Sequence, residues 1–290
     1  SVDGRGFQAF LSDAAAGFAP RFLVYKDLRD RGFYLSPARE GWVSDPREDE
    51  DFVVYPRGKG PWDDDVLYRI RAVGERAAVP AGDVGDCVIA VVDEESDITY
   101  LETSTPTPTG ETGFTPPEDV GGTLLDDRVI VWDPPADLHH RGFYGRPLDG
   151  RDESADAPLQ LSLLEAAYLA AEGALDLDLR DVVERGRAVE GERFDRRLRS
   201  YRALRDAGLV PKTGFKFGAD FRVYETVTTL DDLGHAEFLV RVLPPNYDFD
   251  PRDLALDVRL AHGVRKEMLF ARHDAEGAAP SWLSVRRLTP

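Results

Sequence analysis

Three side chains toward the C-terminal end of the chain, Tyr224, His235 and Lys266, have types that together can move protons and steady negative charge. A histidine changes charge near neutrality and can give or take a proton. A lysine supplies a compact cation, and a tyrosine hydroxyl both donates and accepts hydrogen bonds. Spacing alone does not make them a site, because a tyrosine, a histidine and a lysine can be drawn from almost any domain. The opposing reading is a half-buried Tyr224, a His235 that caps a strand and a solvated Lys266.

The elements that must carry them are readable. Phe194, Leu198, Tyr201 and Leu204 recur at helical spacing, and Gly208 ends that helix. Phe221 and Val223 alternate with Arg222 and Tyr224, which predicts a strand with Tyr224 on the face opposite the two apolar residues. A second strand is expected over His235–Val242, with Phe238, Val240 and Val242 on one face and His235 on the other. From Pro251 a helix is expected, with Leu254, Val258, Ala261, Val264 and Met268 as its apolar stripe and Arg259, His262 and Lys266 together on another face. Upstream, Val129-Ile-Val-Trp132 reads as a buried strand. Ser162-Leu-Leu-Glu165 reads as a capping box opening a helix that stops at Gly173.

Thr103–Gly122 is rich in Thr, Pro and Gly and reads as a linker. On either side of it the sequence repeats in order. Val2-Asp3-Gly4 before Phe7 matches Val189-Glu190-Gly191 before Phe194. Tyr25–Gly32 matches Tyr201–Gly208, and Asp51–Tyr55 matches Asp220–Tyr224. Two tandem copies of one module follow from this. Asp126–Ala188 has no counterpart ahead of Ser1, so the first copy is expected to lack its leading domain and the chain to be a piece of a longer protein.

Composition sets the frame. The 290 residues carry a net charge of −18 with 42% hydrophobic and 31% charged residues, which is a globular composition. No apolar run approaches the ~20 residues of a membrane helix, so no membrane partner is expected. The lone Cys87 excludes an intrachain disulfide and a cysteine-based zinc site. Only five lysines stand against 31 arginines, an acid-rich, lysine-poor pattern that resembles proteins of extreme halophiles. In about 1 M salt the Debye length falls to about 3 Å, so net charge does not decide between nucleic acid and other partners.

The stretch Tyr201–Ala271, with YRALRDAGLVPKTGFKFGADFRVYE, HAEFLVRVL and RLAHGVRKEMLFA, resembles the catalytic domain of archaeal tRNA-splicing endonucleases. GFYG at Gly142–Gly145 and LSLLEAAYL at Leu161–Leu169 resemble that family's N-terminal domain. The resemblance implies an α/β (α+β) fold of tandem modules, each a small N-terminal domain plus a nuclease-like catalytic domain. The expected boundaries are 1–102 for a degenerate first-repeat catalytic-like domain, 103–122 for the linker, 123–193 for the second N-terminal domain and 194–290 for the second catalytic domain. It implies a metal-independent Tyr224-His235-Lys266 site that cuts precursor tRNA at both exon–intron junctions of a bulge-helix-bulge, in the cytoplasm, with no cofactor and no DNA partner. The residue types fit that chemistry, since RNA supplies its own nucleophile in the 2′-OH. The enzyme need only activate it, protonate the departing 5′-oxygen and steady the phosphorane charge. His235 is assigned as general acid, Tyr224 as the group on the 2′-OH and Lys266 as the stabilising cation; exchange of the first two roles stays open. The products would be a 2′,3′-cyclic phosphate and a 5′-hydroxyl.

The family also implies two arginines that sandwich a bulge base, matched here to Arg259 and to Arg287, with Arg286 beside the latter leaving the register open. In the first copy Tyr55 matches Tyr224, but Asp65 and Asp86 fall where His235 and Lys266 stand, so that copy is expected to be inactive. One active centre per chain and two junctions to cut imply a homodimer. Asp248, Asp250 and Asp253 match an acidic docking loop of the family, with a solvated loop as the equal alternative. His139-His140 has no ligand partners at metal spacing and reads as surface. His262 beside Lys266 is a candidate pocket wall, although a helix-surface histidine is the plainer account. Lys212 and Lys216, in KTGFKFGAD, are candidate phosphate contacts. The rival function is a noncatalytic structural or RNA-binding subunit of a splicing assembly.

Overall fold

The computed structural model describes residues 6–12, 14, 17–63, 65–148, 157–273 and 278–290, so the Val2-Asp3-Gly4 opening of the first copy lies outside the described residues. The chain divides into two compact units. One comprises Ser1–Thr105, Asn246–His262 and Ser284–Pro290, the other Pro106–Pro245 and Gly263–Leu283. Among the described residues no helix is long and apolar enough to cross a membrane.

The first unit opens with helices α1 (Phe7–Ser12) and α2 (Phe18–Asp30) and strands β1 (Tyr34–Pro37), β2 (Phe52–Tyr55), β3 (Tyr68–Gly74), β4 (Val79–Pro80), β5 (Val88–Val92) and β6 (Ile98–Ser104). Its sheet runs β1-β2-β3-β5-β6. The unbroken apolar run of β5 is buried along its length, as a central strand covered on both faces requires. Val24 and Leu28 of α2 are fully buried in a cluster with Val54, Ile70 and Ala90.

The second unit holds β7 (Val120–Gly121), β8 (Thr123–Leu124), β9 (Arg128–Val131), α3 (Ala136–His140), β10 (Arg146–Pro147), β11 (Leu159–Ser162), α4 (Leu163–Ala171), β12 (Leu175–Asp176), α5 (Leu179–Glu190), α6 (Arg193–Asp206), β13 (Val210–Thr213), β14 (Phe221–Tyr224) and β15 (Phe238–Val242). Further along the chain come β16 (Asp248–Phe249), α7 (Pro251–Gly263), β17 (Glu267–Arg272) and β18 (Ser281–Leu288). The expected capping box is formed in full: Ser162 Oγ accepts from the Glu165 amide, and Glu165 accepts from the Ser162 amide. Phe194, Tyr201 and Leu204 of α6 are buried, and Gly208 ends the helix at φ 79°.

Within the first unit β16 pairs with β4, and Ser284–Leu288 of β18 pairs with β6. Asp250 accepts from the amides of Arg252 (2.9 Å) and Asp253 (3.4 Å) at the start of α7, so this acidic residue caps a helix. The Thr-Pro-Gly segment after β6 is hydrogen-bonded within the second unit: Gly110 and Thr112 donate to the carbonyls of Ala207 and Gly208, and Glu111 to that of Glu225.

Both units contain the same four-strand pattern. β1 is antiparallel to β2, β2 to β3, and β3 runs parallel to β5; β13, β14, β15 and β17 repeat this. The register corrects one alignment. Val54 faces Tyr68 as Val223 faces Phe238, and Ile70 faces Val88 as Val240 faces Leu269. Counting back, Asp65 does stand at the His235 position, but Gly85 stands at that of Lys266 and Asp86 at that of Glu267. Matching apolar residues alone tolerates such a one-residue slip, because both strands are buried along most of their length.

Candidate active site

Tyr224 ends β14. Phe221 and Val223 enter the large apolar cluster with Val240 and Leu269, whereas Tyr224 faces the other way, in a small cluster with Phe143, Val210, Val227 and Ala236. This is the expected period-two alternation. The ring is 6% exposed and meets Phe143 edge-on, with centroids 5.5 Å apart. Its hydroxyl makes no hydrogen bond among the described residues.

His235 departs from the expected strand. β15 begins only at Phe238, and His235 lies exposed in the connection that follows β14. Strand pairing cannot reach it, since the ladder closes at Val223 opposite Phe238 with Glu237 donating to the Val223 carbonyl (2.9 Å). Lys266 likewise does not lie on the helix. α7 stops at Gly263, Val264 is exposed, Arg265 turns the chain at φ 56°, and Met268 belongs to β17. Arg259, His262 and Lys266 therefore do not share a helical face.

The turn nevertheless brings the lysine to the histidine segment. Lys266 Nζ donates to the Ala236 carbonyl at 2.5 Å, one residue from His235. Glu267 donates its amide to the Glu237 carbonyl (2.9 Å), and Glu225 donates its amide to the Glu237 carboxylate (2.8 Å). The three segments bearing Tyr224, His235 and Lys266 are thus stitched side by side at one end of β14, β15 and β17. Three glutamates lie in the same stitch. The Glu225 carboxyl is pushed up from its ordinary value by burial and by the neighbouring Glu237 and Glu267.

Other residues hold this corner, and the sequence reading missed their roles. Lys212 is not a phosphate contact: its side chain is only 10% exposed, and its ammonium donates to Glu165 (2.6 Å) and to the carbonyls of Phe143 (3.0 Å) and Gly145 (3.2 Å). Glu165 also accepts from the amides of Gly145 and Ser162, both at 2.9 Å. Burial by itself would raise the Glu165 carboxyl, but Lys212 and the two amides outweigh it and hold it down at about 2. Burial draws the Lys212 ammonium down, with the Glu165 carboxylate opposing. The network fixes the GFYG loop, in which Phe143 adopts φ 52°, a conformation costly for a bulky residue. Its ring covers Tyr224. The readable signal was a pair of aromatics, Phe143 and Tyr144, flanked by Gly142 and Gly145. His140 accounts for the loop bearing His235: its Nε2 lies 2.9 Å from the Asp231 carboxylate, and its carbonyl accepts from the Leu230 amide. His139 Nδ1 lies 2.7 Å from the Tyr144 carbonyl. Among the described residues no group of three or more His, Cys, Asp or Glu is placed to hold a metal.

The two arginines matched to base binding meet in the first unit. Arg259 of α7 and Arg287 of β18 line one cleft of about 530 Å³ with Val91, Thr99 and Leu101. Arg286 is spent elsewhere, on Glu102 at 2.8 Å across the strand pair, and successive strand residues face opposite ways. His262 and Lys216 are exposed.

Residues 194–280 match the family model "tRNA intron endonuclease, catalytic C-terminal domain", and residues 120–185 match "tRNA intron endonuclease, N-terminal domain". The tRNA-splicing endonuclease of Halobacterium salinarum is 61% identical over 293 residues, covering 100% of this chain and 85% of that protein. That of Haloferax volcanii is 57% identical over 291 residues, covering 100% and 84%. That of Methanosarcina acetivorans is 38% identical over 314 residues, covering 99% and 84%. Tyr224, His235 and Lys266 all fall inside the matched catalytic segment, and with identity of this order along its whole length the chain belongs to the tRNA-splicing endonuclease family.

Proposed function

We propose that the chain cleaves precursor tRNA at both exon–intron junctions of a bulge-helix-bulge through Tyr224, His235 and Lys266. The observation that carries this reading is the 2.5 Å bond from Lys266 Nζ to the Ala236 carbonyl, which holds a cation one residue from the imidazole and beside the strand ending in Tyr224. Tyr224 accepts the hydrogen bond of the ribose 2′-OH and orients it while its proton departs to solvent. The 2′-oxygen bonds to phosphorus as the bond to the 5′-oxygen breaks, and His235 protonates that leaving oxygen. Lys266 stabilises the charge on the non-bridging oxygens. The products are a 2′,3′-cyclic phosphate and a 5′-hydroxyl, and the nucleophile is the substrate's own 2′-OH.

The same reading gives Arg259 and Arg287 the task of holding an unstacked bulge base between guanidinium planes. With Asp65 and Gly85 at the positions of His235 and Lys266, the first repeat is inactive. Two junctions then call for two chains, and the working form is a homodimer in the cytoplasm. Cleavage of a bulge-helix-bulge precursor in high KCl with EDTA, compared with His235→Ala, tests it. Two cuts with cyclic-phosphate ends that the variant loses support the reading. Absence of cleavage by the folded dimer, or full activity of the variant, overturns it.

A further inference from the structure

The first repeat keeps the tyrosine and gathers further aromatic rings beside it. Tyr55 occupies the Tyr224 position, opposite Tyr34 on β1. The Tyr34 ring meets Tyr55 edge-on at 6.2 Å and Trp62 edge-on at 5.4 Å. The connection between β1 and β2 has 14 residues (38–51), against seven (214–220) between β13 and β14. That longer connection supplies Trp42, which with Tyr55, Pro61, Val66 and Arg69 lines a cleft of about 300 Å³.

These two tryptophans are not core. Trp42 is 61% exposed and Trp62 71%, although each indole carries a large apolar area whose burial would stabilise the fold. Trp62 is set deliberately: its ring lies on Gly60, where an added Cβ would come within 2.5 Å of it. Cations stand around the rings. Arg29 lies 5.4 Å from the Tyr34 centroid, and Arg69 shares the cleft with Trp42. Lys59, one of five lysines in the chain, is half-exposed and bonded to Asp65 at 2.6 Å. Arg69 is paired with Glu50 at 2.8 Å, so the patch offers RNA mainly its exposed rings, and stacking of unpaired bases on exposed rings is the surface chemistry that holds single-stranded RNA.

We propose that this patch is a second RNA site, which stacks an unpaired base of the precursor on Trp42 and Trp62 without cleaving it. The choice of RNA as ligand rests on the function proposed above. With Asp65 and Gly85 in place of His235 and Lys266, a strand held here meets no imidazole to protonate a leaving oxygen and no lysine at the Lys266 position. The former active face is thereby turned into a binding platform.

The test uses the full chain with Trp132→Phe and Trp282→Phe, so that only Trp42 and Trp62 fluoresce, titrated in high KCl with an unpaired 12-nucleotide oligoribonucleotide. Quenching is expected, and Trp42→Ala with Trp62→Ala should weaken binding, followed by anisotropy of the labelled RNA, by about tenfold or more, the scale of one lost stacking contact. Trp42→Phe with Trp62→Phe should restore most of it, since a smaller ring still stacks. Absence of quenching, or unchanged affinity in the alanine variant, overturns the proposal. So does loss of self-association without loss of RNA affinity, which would make the patch a contact between copies. Binding is read without cleavage, so this result stands apart from the fate of the Tyr224-His235-Lys266 reading.

Discussion

Lys266 reaches its place through the main chain of its neighbour: its ammonium donates to the carbonyl of Ala236, the residue after His235. A lysine stem has four rotatable carbons, and fixing its head on a carbonyl removes much of the entropy that a free surface lysine would lose on meeting a phosphate. Two N–H donors remain for substrate. Lys266→Met keeps the stem and removes the charge. It should lower kcat by about 10²–10³-fold, the usual loss for one transition-state donor, with little change in KM. Single-turnover cleavage at saturating precursor measures this, and an equal fall in affinity would move Lys266 from chemistry to binding.

The buried pair of Lys212 and Glu165 ties the GFYG loop to β13 and so holds Phe143 over Tyr224. Lys212→Met leaves a carboxylate buried with amide donors but no cation. Loss of one partner of such a pair costs about 3–5 kcal/mol, and denaturant unfolding in high KCl should show it. Because the loop would loosen before the catalytic strands, kcat should fall at denaturant concentrations where the far-UV signal is still native.

The same carboxylate makes a pH prediction. The Glu165 carboxyl is held at about 2 in the folded chain against an ordinary 4.5, so its contribution is present above pH 4.5 and drains away as pH falls toward 2. The difference corresponds to about 3 kcal/mol. Glu165→Gln should flatten the stability curve over that interval while starting from a lower value at neutral pH. A variant with the same acid slope as the parent would show that other carboxylates govern the acid limb.

Local signals revealed α4 through its capping box, and α6 and the facing of Tyr224 through periodicity, because each depends on neighbours within a turn or a strand. It failed at Lys266 because Val264 and Met268 continue the helical spacing past a turn made by Gly263 and the left-handed Arg265. It also failed at Lys212, whose partner lies 47 residues away and whose burial no pattern near Lys212 reports. The type of residue was legible at His235 and its setting was not, since a loop held through its own Asp231 by His140 of another element carries no periodic signal. The choice between Arg286 and Arg287 needed the cross-strand partner Glu102.

Gly186 in α5 tests the packing behind the active unit. A Cβ there would lie 2.2–2.4 Å from the ring of Phe194, which is fully buried at the start of α6 and has no room to retreat. Gly186→Ala should therefore lose about 1–3 kcal/mol despite the better helix propensity of alanine. Paired substitution with Phe194→Leu should recover part of the loss, as thermal unfolding of the single and double variants would reveal.

Arg259 and Arg287 line one cleft while Arg286 is paired with Glu102, so the three arginines should separate in kinetics. Arg259→Ala and Arg287→Ala should each raise KM for a bulge-containing precursor by about one to two orders of magnitude, the range for a lost stacking plane at about 1–3 kcal/mol. If both grip the same base, the double variant should lose less than the product of the single effects, because one plane alone cannot sandwich it. Arg286→Ala should change KM by less than about twofold, as expected for an exposed ion pair. Full additivity of Arg259→Ala and Arg287→Ala would mean that the two guanidinium groups bind separate parts of the RNA.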